Sequence, residues 1–93
     1  VARYISNNET CPVCGYRRFM LYREEDLIVD AVCPMCGYRI NSTYPVQDIV
    51  DRAKNIVKQL KEEDENKIYD DFLRTGKAYV ERVLVSGKEK EDV

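Results

Sequence analysis

Histidine is absent from these 93 residues, and no cysteine lies outside two short, similar segments. There is also no Gly-rich phosphate loop and no nucleophile set beside a base, so the usual constellations for hydrolysis or group transfer are missing. A free-standing enzyme acting on a small molecule is not expected, and no catalytic residue is assigned. No apolar run approaches membrane-spanning length or resembles a signal peptide. The expectation is therefore a soluble, cytoplasmic protein with no membrane partner. A basic excess is lacking too: 15 Lys and Arg stand against 17 Asp and Glu, a net charge of −2. Domains that coat nucleic acid by bulk electrostatics carry a strong positive surplus, so DNA contact is expected to be weak or indirect.

What is present is a repeat. CPVCGYRRFMLY at positions 11–22 returns as CPMCGYRINSTY at 33–44, and the two copies hold all four cysteines. Two disulfides are the alternative in secreted scaffolds, but the C-x2-C-x18-C-x2-C pattern, with Pro inside and Gly after each pair, fits a metal in a reducing compartment. Cys11, Cys14, Cys33 and Cys36 are the expected ligands of one structural Zn²⁺. An iron–sulfur centre uses the same ligand type. Each two-residue gap turns both sulfurs toward one point, and the following glycine tolerates the left-handed turn that this wrapping requires. Four protein thiolates fill a tetrahedral shell, which leaves no place for water or substrate. The metal stands in for a core that so short a ribbon cannot build.

The remaining repeat residues have ordinary readings first. Tyr16 with Tyr38, and Tyr22 with Tyr44, hold equivalent positions and are expected to pack under the strands. Arg17 and Arg39 are expected to be solvated, with ring faces or an acidic partner as the alternative. Charge is polarised across the module: Arg3, Arg17, Arg18 and Arg23 face Glu9 alone in residues 1–23, whereas Glu24, Glu25, Asp26 and Asp30 face Arg39 in 24–44.

Periodicity supplies the organisation. YRRFMLYR and the β-branched LIVDAVC are expected to pair through a turn at Glu24, Glu25 and Asp26, and YRINSTY is expected as a third strand. Pro45 suits the first helical position. After it, Val46, Ile49, Val50, Ala53, Ile56, Val57 and Leu60 recur at helical steps, predicting a helix to about residue 62. KEEDEN reads as a solvated turn or as an exposed continuation. A second periodic segment carries Ile68, Tyr69, Phe72, Leu73, Tyr79, Val80, Val83 and Leu84, is interrupted by Gly76 and ends at Ser86-Gly87. The expected fold is small α+β: a four-cysteine zinc ribbon with a three-stranded antiparallel sheet over 1–44, a helical extension of two α-helices over 45–87, and a disordered charged tail over 88–93. The apolar stripe of the first helix is expected to pack on the ribbon or the second helix. Self-association through a coiled-coil seam is the alternative.

Two family resemblances carry the functional expectation. T-C-P-V-C at Thr10–Cys14, the strand pair leading into V-C-P-M-C at Val32–Cys36, and Pro45-Val46-x-Asp48-Ile49-x-Asp51 are together similar to the Elf-type zinc-ribbon transcription elongation factors of archaea and eukaryotes, over about residues 9–58. That resemblance implies an RNA polymerase partner and docking near downstream DNA, in the cytoplasm, nucleoid or nucleus. The family typically begins with a strongly basic tail, whereas VARYISNNE precedes the first knuckle here. The expected version binds protein more than DNA. Arg23-Glu24-Glu25 at the hairpin tip also resembles the acidic pair of the S-type transcript-cleavage factors, which implies carboxylates that complete a catalytic metal's oxygen shell in a polymerase, or a polymerase-inhibiting role. Solvation is the ordinary fate of acids at such a tip. Candidate partner contacts are thus Arg17, Arg18, Arg23, Glu24, Glu25, Asp26, Asp48 and Asp51. A ribosome-associated or oligomeric adaptor is the third class.

Overall fold

The computed structural model describes the backbone of residues 2–6 and 9–85. The chain runs β1 (Ala2–Ser6), β2 (Phe19–Glu24), β3 (Leu27–Val32), α1 (Gln47–Gln59) and α2 (Glu62–Thr75), and ends in a π-helical turn, Glu81–Val85. The expected end of the helical segment at Ser86-Gly87 and the charged tail over 88–93 lie outside the described residues.

The β2–β3 hairpin forms as its composition predicts, with Met20 opposite Val32 and Leu21 opposite Ala31. Its Glu25–Asp26 turn places Glu25 at φ 58, a left-handed conformation for a non-glycine residue. The register shifts between Tyr22 and Arg23, where Val29 is left without an opposite number. Such a bulge bends the strand and interrupts its ladder.

The third expected strand, YRINSTY, does not form. It contributes a single bridge between Arg39 and Val32, plus the Ile40 N–H donating to the Ala31 carbonyl at 3.1 Å. Two local effects end the pairing. The bulge removes the regular edge, and Asn41 uses its side-chain amide on the Val29 carbonyl while Ser42 turns back on the Arg39 carbonyl. The sheet gains its third strand on the other side, where β1 lies antiparallel to β2 with Tyr4 opposite Leu21.

The first helix also differs at both ends. Pro45 precedes the helix rather than opening it, because Val46 stays extended and caps it through its carbonyl, which accepts from the Ile49 and Val50 N–H groups at 2.9 and 3.1 Å. Leu60 and Lys61 are extended, so α1 stops at Gln59. The acidic run then opens α2 instead of prolonging α1: Glu62, Glu63, Asp64 and Glu65 fill its first turn, where negative charge complements the helix dipole. Gly76, at φ 72, closes α2 as a left-handed cap with its N–H on the Phe72 carbonyl at 2.6 Å.

The helices lie on the ribbon and share its core. Val50 and Ala53 of α1 are buried, with Ile49, Ile56, Val57 and Leu60 packed against the cluster that holds the four cysteines, Tyr16, Phe19 and Tyr38. The apolar stripe of α1 is thereby used within the chain. Only Val46 of the seven periodic residues is largely exposed. From α2, Ile68 joins this cluster, while Tyr69 and Phe72 pack on Met20 and Val32.

Tyr69 gives the core a measurable signature. Its hydroxyl donates to the Met20 sulfur at 3.6 Å, and burial pushes its phenol up to about 12 against an opposing pull from Arg18. The folded state therefore favours the neutral ring. Its contribution is full below the unfolded value of about 10 and is lost as the pH rises toward 12. Denaturant midpoints measured from pH 8 to 12 are expected to fall above about pH 10, and Tyr69→Phe is expected to flatten that fall.

Candidate metal centre

Each C-P-x-C-G-Y knuckle folds the same way. In the first, the Gly15 N–H returns to the Cys11 carbonyl and the Cys11 N–H reaches the Tyr16 carbonyl, both at 2.9 Å. The second repeats this with Gly37 to Cys33 at 2.9 Å and Cys33 to Tyr38 at 2.8 Å. Both glycines sit at φ 87, where a Cβ would crowd the carbonyl. This closed turn directs each pair of sulfurs inward.

The four Sγ atoms lie within 4.8 Å of one another. The close pairs cross between knuckles, Cys11 to Cys36 at 3.7 Å and Cys14 to Cys33 at 3.5 Å. A disulfide needs about 2.05 Å, and all four thiols are free. A tetrahedron with metal–sulfur bonds of about 2.3 Å has edges of about 3.8 Å, so this cluster fits one metal ion. Burial pushes the Cys33 thiol well above its ordinary range, and the three neighbouring sulfurs push the same way. Four adjacent thiolates therefore coexist only with a cation among them. All four cysteines are at most 5% exposed. A four-coordinate ion held here has its shell completed by protein.

Around this cage the repeat residues take roles that the sequence left open. Arg17 and Arg39, equivalent in the two copies, each hold a buried carboxylate. Arg17 Nη2 donates to Glu65 Oε1 at 2.6 Å, and the Tyr16 hydroxyl donates to the Glu65 backbone carbonyl at 3.0 Å. Arg39 donates to Asp30 Oδ2 through Nε, at 2.9 Å, and through Nη2, while Asp30 Oδ1 accepts from the Ala31 N–H at 2.8 Å. Glu65 and Asp30 are the buried acidic residues among those described. Simple solvation is thus corrected for both arginines. The tyrosine expectation holds for Tyr16 and Tyr38 and fails for Tyr44, which is 68% exposed with its ring 5.1 Å from that of Tyr38. Because 38–44 forms no strand, Tyr44 is not carried under the sheet and meets the Tyr38 ring at the surface. Tyr22 is half-buried.

The candidate partner contacts fall on three separate surfaces. Arg17 and Arg18 face α2, with the Arg18 guanidinium 6.0 Å from the centre of the Tyr69 ring. Glu24, Glu25 and Asp26 are exposed at the hairpin tip, where the Asp26 carbonyl accepts from Arg23 Nη2 at 3.5 Å. Asp48 and Asp51 are exposed on the first turns of α1, and Asp51 accepts from Gln47 at 3.0 Å. None of these acids belongs to the group of four cysteines, and six residues of strand at about 3.3 Å each put the tip acids about 20 Å from the sulfurs. Sequence reasoning missed the two buried carboxylates, although the paired Arg17 and Arg39 hinted at a shared task. It also missed that residues 78–80 cover the second knuckle, a contact between distant segments that no local pattern announces.

Among the described residues no helix is long and apolar enough to cross a membrane. Two outcomes test the cage. Exhaustive chelation is expected to remove one metal ion per chain and with it the amide dispersion of the ribbon; dispersion that survives metal loss would contradict the fit. Ala at Gly15 and at Gly37 should each cost about 1–2 kcal/mol in a melt, the left-handed penalty. Gly37→Ala should cost more, because its Cβ would lie 3.2 Å from the Ala78 Cβ, whereas no described residue lies within 4 Å at Gly15. Compared with protein-family models, curated proteins and solved structures, the chain matches none.

Proposed function

We propose that this protein is a zinc-ribbon adaptor of the transcription machinery, which docks on RNA polymerase through its hairpin and uses its zinc as scaffold only. Zinc suits four thiolates in a closed tetrahedral shell, and such a site has no open position for chemistry. The observation that carries the docking role is the hairpin tip. Leu27 is 73% exposed beside Ile28, and both adjoin the exposed Glu24, Glu25 and Asp26. An apolar residue ringed by like charges, on a stem anchored in a metal-stapled base, has the make-up of a protein contact with a basic rim.

Three ribbon arginines support a protein partner over nucleic acid, since Arg17, Arg18 and Arg39 are engaged by Glu65, Tyr69 and Asp30. Entry into α1 supports the resemblance to the Elf-type elongation factors: the helix begins directly after Pro45-Val46, and Asp48 and Asp51 lie exposed on its first turns. Transcript cleavage is a second reading, favoured by the exposure of both tip glutamates.

Capture of purified RNA polymerase by the tagged, zinc-loaded chain is the test. Binding is expected, with at least a tenfold loss in a variant combining Leu27→Ser, Glu24→Ala and Glu25→Ala that keeps its zinc, which is the size of loss expected for a central anchor. Association with ribosomes and never with polymerase would overturn the proposal. Shortened transcripts released from stalled elongation complexes by the native protein, and not by the Glu24→Ala, Glu25→Ala variant, would replace it with the cleavage reading.

A further inference from the structure

The two knuckles are alike inside and unlike outside. The second is roofed: the Tyr79 and Val80 N–H groups donate to the Pro34 and Met35 carbonyls at 2.8 and 2.7 Å, and Met35 is fully buried. The first instead walls a cavity of about 330 Å³, lined by the knuckle residues from Cys11 to Gly15 together with Lys54, Val57 and Lys58 of α1. Lys54 and Lys58 are one helical turn apart and both exposed. Among the described residues no carboxylate lines this cavity, although acids outnumber bases in the chain.

A dication bound by four thiolates leaves the cage with surplus negative charge. That charge is buried, because the cysteines are. Burying it without compensation is costly. One backbone donor is in place, the Cys14 N–H on the Cys11 sulfur at 3.5 Å, and a single such bond does not balance the charge. The repeat arginines are committed elsewhere, to Glu65 and Asp30. Among the described residues, the cations that share a cavity with the cage cysteines are Lys54 and Lys58.

We infer that Lys54 and Lys58 are the counter-charge of the metal cage, acting as positioning residues that hold the thiolates in their metal-binding form and set how tightly the ion is kept. The inference rests on the reading of the cage as a zinc site. An exposed lysine pair at this spacing is otherwise an ordinary solvated helix face, and retention of zinc separates the two.

The experiment is equilibrium competition for zinc between the zinc-loaded 93-residue chain and a neutral chelator. It is run at low salt and again near 1 M, where the screening length falls to about 3 Å. Lys54→Gln with Lys58→Gln is expected to weaken retention about tenfold at low salt and much less at high salt. Lys54→Arg with Lys58→Arg, which keeps both charges, is expected to hold zinc as the native chain does. Lys61→Gln with Lys67→Gln makes the same change in net charge outside the cavity and is expected to leave retention unchanged. Helical circular dichroism confirms that each zinc-loaded variant is folded. Unchanged retention in the Lys54, Lys58 variant, or an equal loss in the Lys61, Lys67 variant, overturns the inference and leaves the zinc reading standing. A native protein that takes up no zinc overturns both.

Discussion

Four sulfurs held within 4.8 Å of one another are the constraint on which this structure depends. The thiols repel one another once ionised and are costly to ionise where they are buried, so the arrangement is stable as a charged cluster only around a cation. With that cation, two knuckles far apart in sequence become one rigid base. The hairpin grows from this base, with β2 leaving the first knuckle and β3 returning to the second, and the core cluster that receives α1 and α2 is built around the same cysteines. Without it, the β strands have one short edge-paired sheet and little apolar area to hold them.

The repeat gives the cage an internal symmetry that the rest of the chain then breaks. Tyr16 and Tyr38 are buried and Arg17 and Arg39 each seat a buried carboxylate, yet the carboxylates come from different places. Asp30 belongs to the ribbon itself. Glu65 comes from α2, so the Arg17 pair ties the helices to the ribbon. Arg17 is 64% exposed in its side chain, and solvent screening keeps that pair modest in energy. Its value lies in fixing where α2 sits. The segment after Gly76 completes the asymmetry by roofing the second knuckle, which leaves the first beside α1 and its lysines.

Much of this was legible in the sequence, for reasons that differ by element. The ligands follow from spacing, because a two-residue gap with a following glycine has one geometry when both sulfurs meet an ion. The hairpin follows from β-branched composition, and α1 from its apolar period. The third strand failed because the β3 edge is broken by an unpaired Val29 and taken up by the Asn41 amide, neither of which a strand pattern in 38–44 can reveal. The strand at Ala2–Ser6 that completes the sheet is a pairing between distant segments. The helix boundary at Leu60–Lys61 turns on two extended residues inside a charged run whose composition suits a helix throughout. Pairwise tertiary choices, such as Arg17 with Glu65, lie beyond any local signal.

The proposed closed cage of four thiolates around a single zinc ion is read out by X-ray absorption at the zinc edge of the purified protein. Four sulfur neighbours at about 2.3 Å and no nitrogen or oxygen neighbour are expected. A shell with fewer than four sulfurs and a light-atom ligand at about 2.0 Å would mean an open coordination position and would contradict the closed cage.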